Sequence, residues 1–107
     1  MLKGLSNMRL SIKEVAIIKQ VVTSLLGNNG VRVTLFGSRV DDDAKGGDID
    51  LLVDTTAKQV SRVSMANRIA ASLQIQLGDQ RIDVLLVDPN TIIKPIHEHA
   101  RQQGEIL

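Results

Sequence analysis

Apolar positions recur along the chain with two different periods, and the switches between them mark the elements. Ile12, Val15, Ile18, Val22, Leu25 and Leu26 repeat at helical spacing. Ser11 and Glu14 open this run as a capping box: Ser11 accepts from the backbone three residues on, and Glu14 reaches back. Gly27, Asn28, Asn29 and Gly30 end it, because both residue types tolerate positive φ. Residues 31–36 are rich in β-branched side chains and read as a strand. Residues 37–47 are polar and bounded by glycine, which predicts a loop, and residues 48–53 alternate acid and aliphatic, as a strand with two unlike faces does. A second helical stripe follows at Val60, Val63, Ala66, Ile69, Ala70, Leu73 and Leu77, with Thr55 or Thr56 as its cap and Gly78 as its stop. Arg81–Val87 reads as a third strand, and Asp88-Pro89-Asn90 as a turn. Pro95 then opens a last helix that reaches Gln103 and stops at Gly104. The order α-β-β-α-β-α predicts an α+β fold, with a small mixed three-stranded sheet covered by helices on one face.

The length of 107 residues fits one domain, residues 1–107. Apolar residues make up 43% of the chain, enough for a packed core. Phe36 is its only aromatic residue. The core is therefore aliphatic, and stacking of bases on protein rings is excluded as a main binding mode. A net charge of +1, with both signs mixed along the chain, argues against a dedicated nucleic-acid surface. The absence of cysteine excludes disulfides and thiolate metal sites. No apolar run approaches the roughly 20 residues that span a bilayer, and residues 1–10 lack the apolar core of a signal peptide. These features predict a cytoplasmic protein without a membrane partner.

Candidate chemistry concentrates in three acids. Asp48 and Asp50 sit two apart on a strand, so they share a face, about 6.6 Å apart along the chain. Ile49 and Leu51 then point to the core. Neighbouring carboxylates repel and resist ionisation, and a divalent cation relieves that strain. Oxygen ligands of this kind suit Mg²⁺, which shares substrate phosphates and keeps several waters. Asp83, flanked by Ile82 and Val84, has the same setting on the third strand. If the two strands are neighbours, Asp48, Asp50 and Asp83 converge. Three carboxylates hold two metal ions about 3.5–4 Å apart, an arrangement that clamps the attacking and leaving oxygens of an in-line displacement. Gly37 and Ser38 follow a strand: the glycine lets backbone N–H groups approach phosphate oxygens, and Ser38 adds a hydroxyl donor. Arg39 is placed to pair with phosphate. A P-loop is excluded, because the chain has no Gly-x-x-x-x-Gly-Lys-Ser/Thr segment.

At these residues the chain resembles the DNA polymerase beta-like nucleotidyltransferases, whose pattern is Gly-Ser, a spacer, Asp-x-Asp, and a third Asp on a later strand. Within them it looks like the minimal nucleotidyltransferases, which are about this long. The resemblance spans nearly the whole chain. It implies a nucleotidyltransferase fold, two Mg²⁺ ions, a nucleoside triphosphate donor (commonly ATP), and Asp48, Asp50 and Asp83 as catalytic and metal-binding residues. Many minimal members are antitoxins paired with a helical HEPN-type toxin, and some transfer AMP to a toxin tyrosine. The resemblance therefore implies a protein adenylyltransferase with a HEPN-type partner. The chain departs from the family pattern at Gly47, where Ser is usual, and at Val40, Asp41, Asp42 and Asp43, where Ala and then often Arg-Gly are usual.

Plainer readings stand beside these. Asp48 and Asp50 also fit a solvated strand face, Asp83 a surface acid or a partner of Arg81, and Arg39 an ordinary surface charge, while Lys45 is long enough to reach phosphate. Asp41, Asp42 and Asp43 read as a solvated loop, Asp54 as a helix cap, and Phe36 as core. His97 and His99 diverge by about 200° on a helix and cannot chelate one ion. The competing functions are three. One is a transferase acting on a partner's hydroxyl. Another is a non-catalytic module that masks a partner, self-association being a further form of assembly. The last is transfer to a small molecule such as an aminoglycoside, whose known enzymes carry a further substrate domain.

Overall fold

Ser11 caps the first helix, α1 (Ile12–Leu26), through the expected capping box: Glu14 N–H donates to Ser11 Oγ, and Ser11 N–H donates to Glu14 Oε1. Leu10 and Val15, the flanking positions of a hydrophobic staple, are both buried in the main core. α1 ends at Gly27, whose N–H donates to the Thr23 carbonyl. In this computed structural model, residues 10–37, 48–78 and 80–107 are described. Ser38, Arg39, Val40, Lys45, Gly47 and the aspartates 41–43, all of them singled out above, lie outside the described residues.

Strand β1 (Val31–Phe36) pairs antiparallel with β2 (Asp48–Thr55), and β2 pairs parallel with β3 (Arg81–Val87). A parallel pair needs a crossover, supplied here by helix α2 (Arg62–Leu77). Helix α3 (Pro95–Gln103) follows β3, with Pro95 in its first turn and its end at Gly104, as expected. Among the described residues the sheet has four strands rather than three: β4 (Glu105–Ile106) pairs antiparallel with β1, giving the order β3-β2-β1-β4. Two residues are too few to leave a periodic trace in the sequence. Gly104 makes the approach possible: a Cβ there would lie 2.5 Å from the Ala100 carbonyl oxygen and 2.6 Å from that of Leu35.

The main core lies on one face. Val15, Ile18, Val21 and Val22 of α1 and Ile69 and Leu73 of α2 pack with Val33, Leu35, Ile49, Leu51, Val53, Ile82 and Leu86 of the sheet. Burial on one face only is corrected by the structure. A smaller cluster of Leu52, Val87 and Ala100, with Phe36 and Leu85 against it, places α3 on the opposite face. The physical sign was present in the unbroken runs Leu51-Leu52-Val53 and Val84-Leu85-Leu86-Val87, since a strand buried on both faces loses its alternation. Phe36 belongs to this second cluster and is half-buried.

The start of α2 also differs. Ser61, not Thr55 or Thr56, is its cap, accepting from Ser64 N–H, while Val60 and Val63 are exposed. β2 runs on through Thr55, and the connection to α2 is tied to Asp88 instead. Gln59 N–H and Arg62 Nη1 donate to its two carboxylate oxygens, and Asn90 N–H and the Thr91 hydroxyl donate to Oδ1. These donors, the Gln59 N–H first, outweigh burial and hold the Asp88 carboxyl below the ordinary range. Asp88 thus fastens the expected turn after β3 to the start of α2.

Candidate active site

The acids stand on the face that α3 only partly covers. Asp50 and Asp83 are register partners across parallel β2 and β3, so both side chains leave the same face of the sheet, one strand spacing apart (about 4.8 Å). Asp48 is two residues earlier on the same face, and its register partner is Arg81. Ile49, Leu51, Ile82 and Val84, on the other face, join the main core. Alternation therefore fixes the direction of all three acids: turning any of them inward would move its aliphatic neighbours out to solvent.

Gly37 closes the site from β1. It follows Phe36, the register partner of Asp50, with φ +78°, a conformation that L side chains rarely adopt. A Cβ there would lie 2.3 Å from Asp50 Oδ2. The position thus requires glycine twice, once for its backbone and once to leave room for the carboxylate. Burial, then the charge of Asp83, then that of Asp48, raise the Asp50 carboxyl above the ordinary range. Arg81 works against this rise. Arg81 Nε lies 3.5 Å from Asp83 Oδ2, and both side chains are largely exposed, at 74% and 52%. Asp50 is thus the inner carboxyl and Asp83 the outer one.

The structure brings Asp50 and Asp83 together and places Asp48 within electrostatic reach. Among the described residues, no group of three or more His, Cys, Asp or Glu side chains is arranged to hold a metal ion. The observed unit is therefore a carboxylate pair with a third acid beside it. Such a pair suits Mg²⁺, which binds through one or two carboxylates and completes its shell with water and phosphate oxygens. Gly37 leaves room for the Asp50 carboxylate itself, and a cation bound beside Asp50 and Asp83 would relieve the repulsion that resists its ionisation.

Other singled-out residues have structural work. Asp54 caps no helix: its Oδ1 accepts from Arg101 Nη2 at 2.6 Å, which ties α3 to β2, while its Oδ2 is buried with no hydrogen-bond partner among the described residues. His97 is buried and its Nδ1 accepts from Lys94 N–H, whereas His99 is exposed, so the two histidines do not share a site. A cavity of about 240 Å³ bounded by Lys19, Thr23, Val31 and Leu107 lies at the far end of β1 from the acids. The residue that sequence reasoning undervalued is Arg81. Its signal was the Arg-x-Asp spacing, which puts it on the face of Asp83.

No protein-family model matches the chain, and no curated protein matches it. Among solved structures, it is similar to the MNT antitoxin in a structure described as tri-AMPylated Shewanella oneidensis HEPN toxin in complex with MNT antitoxin. The identity is 22%, the TM-score is 0.52, and the match covers 87% of this chain and 70% of that chain. The fold is nucleotidyltransferase-like. The expected α+β architecture thus holds, with the fourth strand and the second covered face as the additions described above.

Proposed function

We propose that this chain is a metal-dependent nucleotidyltransferase that moves AMP from ATP to a hydroxyl of a partner protein, and that it serves as antitoxin to a HEPN-type toxin. The observation that carries the reading is the Asp50–Asp83 pair, held in register on neighbouring strands and backed by a glycine whose missing Cβ leaves room for Asp50. The likeness to an MNT antitoxin, solved in complex with a tri-AMPylated HEPN toxin, supports the reaction class and the kind of partner.

In this reading Asp50 and Asp83, with Asp48 beside them, bind Mg²⁺, which neutralises the triphosphate and the charge that builds up during transfer. Gly37 lets the backbone at the end of β1 come close to the donor phosphates; Ser38 and Arg39, expected from sequence to bind phosphate, lie outside the described residues. Asp83, the more exposed carboxylate, faces the acceptor and takes the hydroxyl proton. The acceptor oxygen bonds to the α-phosphorus as the bond to pyrophosphate breaks. In this reading the partner supplies the acceptor hydroxyl.

The test is transfer of label from ATP marked in its α-phosphate to the protein encoded beside this one, with Mg²⁺ present. Label should appear on the partner with the native chain and be absent with Asp50→Asn or Asp83→Asn. No label, or equal label with the variants, rules the transferase out. A second reading, a non-catalytic module that masks its partner, is favoured by Gly47 and the acidic run Asp41, Asp42 and Asp43, where the chain departs from the family pattern. Under that reading, neutralisation of the partner survives both substitutions.

A further inference from the structure

Arg81 opens β3 as the register partner of Asp48 and stands two residues before Asp83, so it shares the acidic face with both. Its guanidinium lies within ion-pair distance of the Asp83 carboxylate, Nε to Oδ2 at 3.5 Å. The pair is largely exposed, and an exposed ion pair is weak and readily exchanged. A guanidinium has only donors, so it cannot itself ligate a metal ion. It can instead fill, with one positive charge, the place beside Asp83 that a divalent cation would dominate with two.

We infer that Arg81 is a resident counter-cation: a positioning residue that neutralises the Asp83 carboxylate until a divalent cation binds between Asp83 and Asp50, and that gives way when it does. The inference rests on reading the Asp50–Asp83 pair as a cation site. It fixes a sign opposite to that of an ordinary binding residue. Removing Arg81 takes a positive charge away from the arriving ion, so cation binding tightens. At distances under about 10 Å and low ionic strength, that charge is worth about three- to tenfold in affinity.

The experiment measures Mn²⁺ binding alone, by loss of the free-ion paramagnetic resonance signal, for the native protein, Arg81→Gln, Arg81→Lys and Asp50→Asn. Arg81→Gln should bind Mn²⁺ about three- to tenfold more tightly than the native protein. Arg81→Lys, which keeps the charge, should return the native value, and Asp50→Asn should lose the site. The gain in Arg81→Gln should also shrink as salt is added. Unchanged or weaker binding in Arg81→Gln overturns the inference, as does an equal gain in Arg81→Lys or a lack of binding by every variant. Loss of the native circular dichroism spectrum in Arg81→Gln also overturns it, because Arg81 would then act on the fold. Absence of AMP transfer alongside an intact Mn²⁺ pattern sinks the transferase reading alone and upholds the role of Arg81.

Discussion

Gly37 is the residue at which backbone and chemistry meet. Its φ of +78° and the 2.3 Å that would separate a Cβ from Asp50 Oδ2 act together. Gly37→Ala should cost about 1–2 kcal/mol for the left-handed backbone alone, read as a lower urea midpoint with an unchanged slope, and it should displace the inner carboxylate. Asp50 gives a pH prediction whose sign is fixed. Its carboxyl is raised above the reference value of 3.8 by burial and by Asp83 and Asp48, so the folded state binds that proton more tightly than the unfolded chain. Its contribution to stability is therefore most favourable below 3.8 and falls away as pH rises through the folded pKa. Asp50→Asn should unfold at a higher temperature than the native protein at pH 7, with the difference vanishing in acid. Asp88 has the opposite sign. Its carboxyl is lowered by the Gln59 and Asn90 N–H groups, so its contribution is present above 3.8 and lost as pH falls through the folded value. Asp88→Ala should lower the melting temperature at pH 7, with the deficit narrowing in acid.

At the scale of elements, the two apolar clusters give separate handles. Leu52 is fully buried between the sheet and α3, on the acidic face. Leu52→Ala should cost about 2–4 kcal/mol in chemical denaturation, whereas Val60→Ser, at an exposed position of the expected α2 stripe, should change stability by less than about 0.5 kcal/mol. The contrast shows what the pattern of residues carries. Caps and stops were plain at Ser11, Glu14, Gly27, Gly78, Pro95 and Gly104, where one residue decides a local conformation. The Thr55 and Thr56 cap failed because an exposed Val60 mimicked a core position, and the true cap, Ser61, owes its place to a tether from Asp88 across the fold. The second buried face was readable in the runs around Leu52 and Leu85 but was masked by the acids that share it. β4 was not readable at all, because its pairing depends on the close approach at Gly104.

For the molecule as a whole, sequence spacing was enough to put the three acids on one face, since alternation is a local rule. It could not show that Asp50 and Asp83 would be register partners, which follows from the parallel pairing across α2. The Arg-x-Asp spacing did offer Arg81 as a partner of Asp83, and the two are within ion-pair distance; the register of Arg81 with Asp48 was not legible. Among the described residues no helix is long and apolar enough to cross a membrane, and the fold is nucleotidyltransferase-like. Asp50 and Asp83 are proposed to form a cation-dependent nucleotide site. Its most direct measurement is the unfolding free energy with and without Mg²⁺ and ATP, for the native protein and for the Asp50→Asn/Asp83→Asn double variant. Ligand at a hundredfold excess over Kd should stabilise the native protein by about 2.7 kcal/mol and leave the folded double variant unchanged. A folded native protein with no shift, or an equal shift in both proteins, would contradict the account.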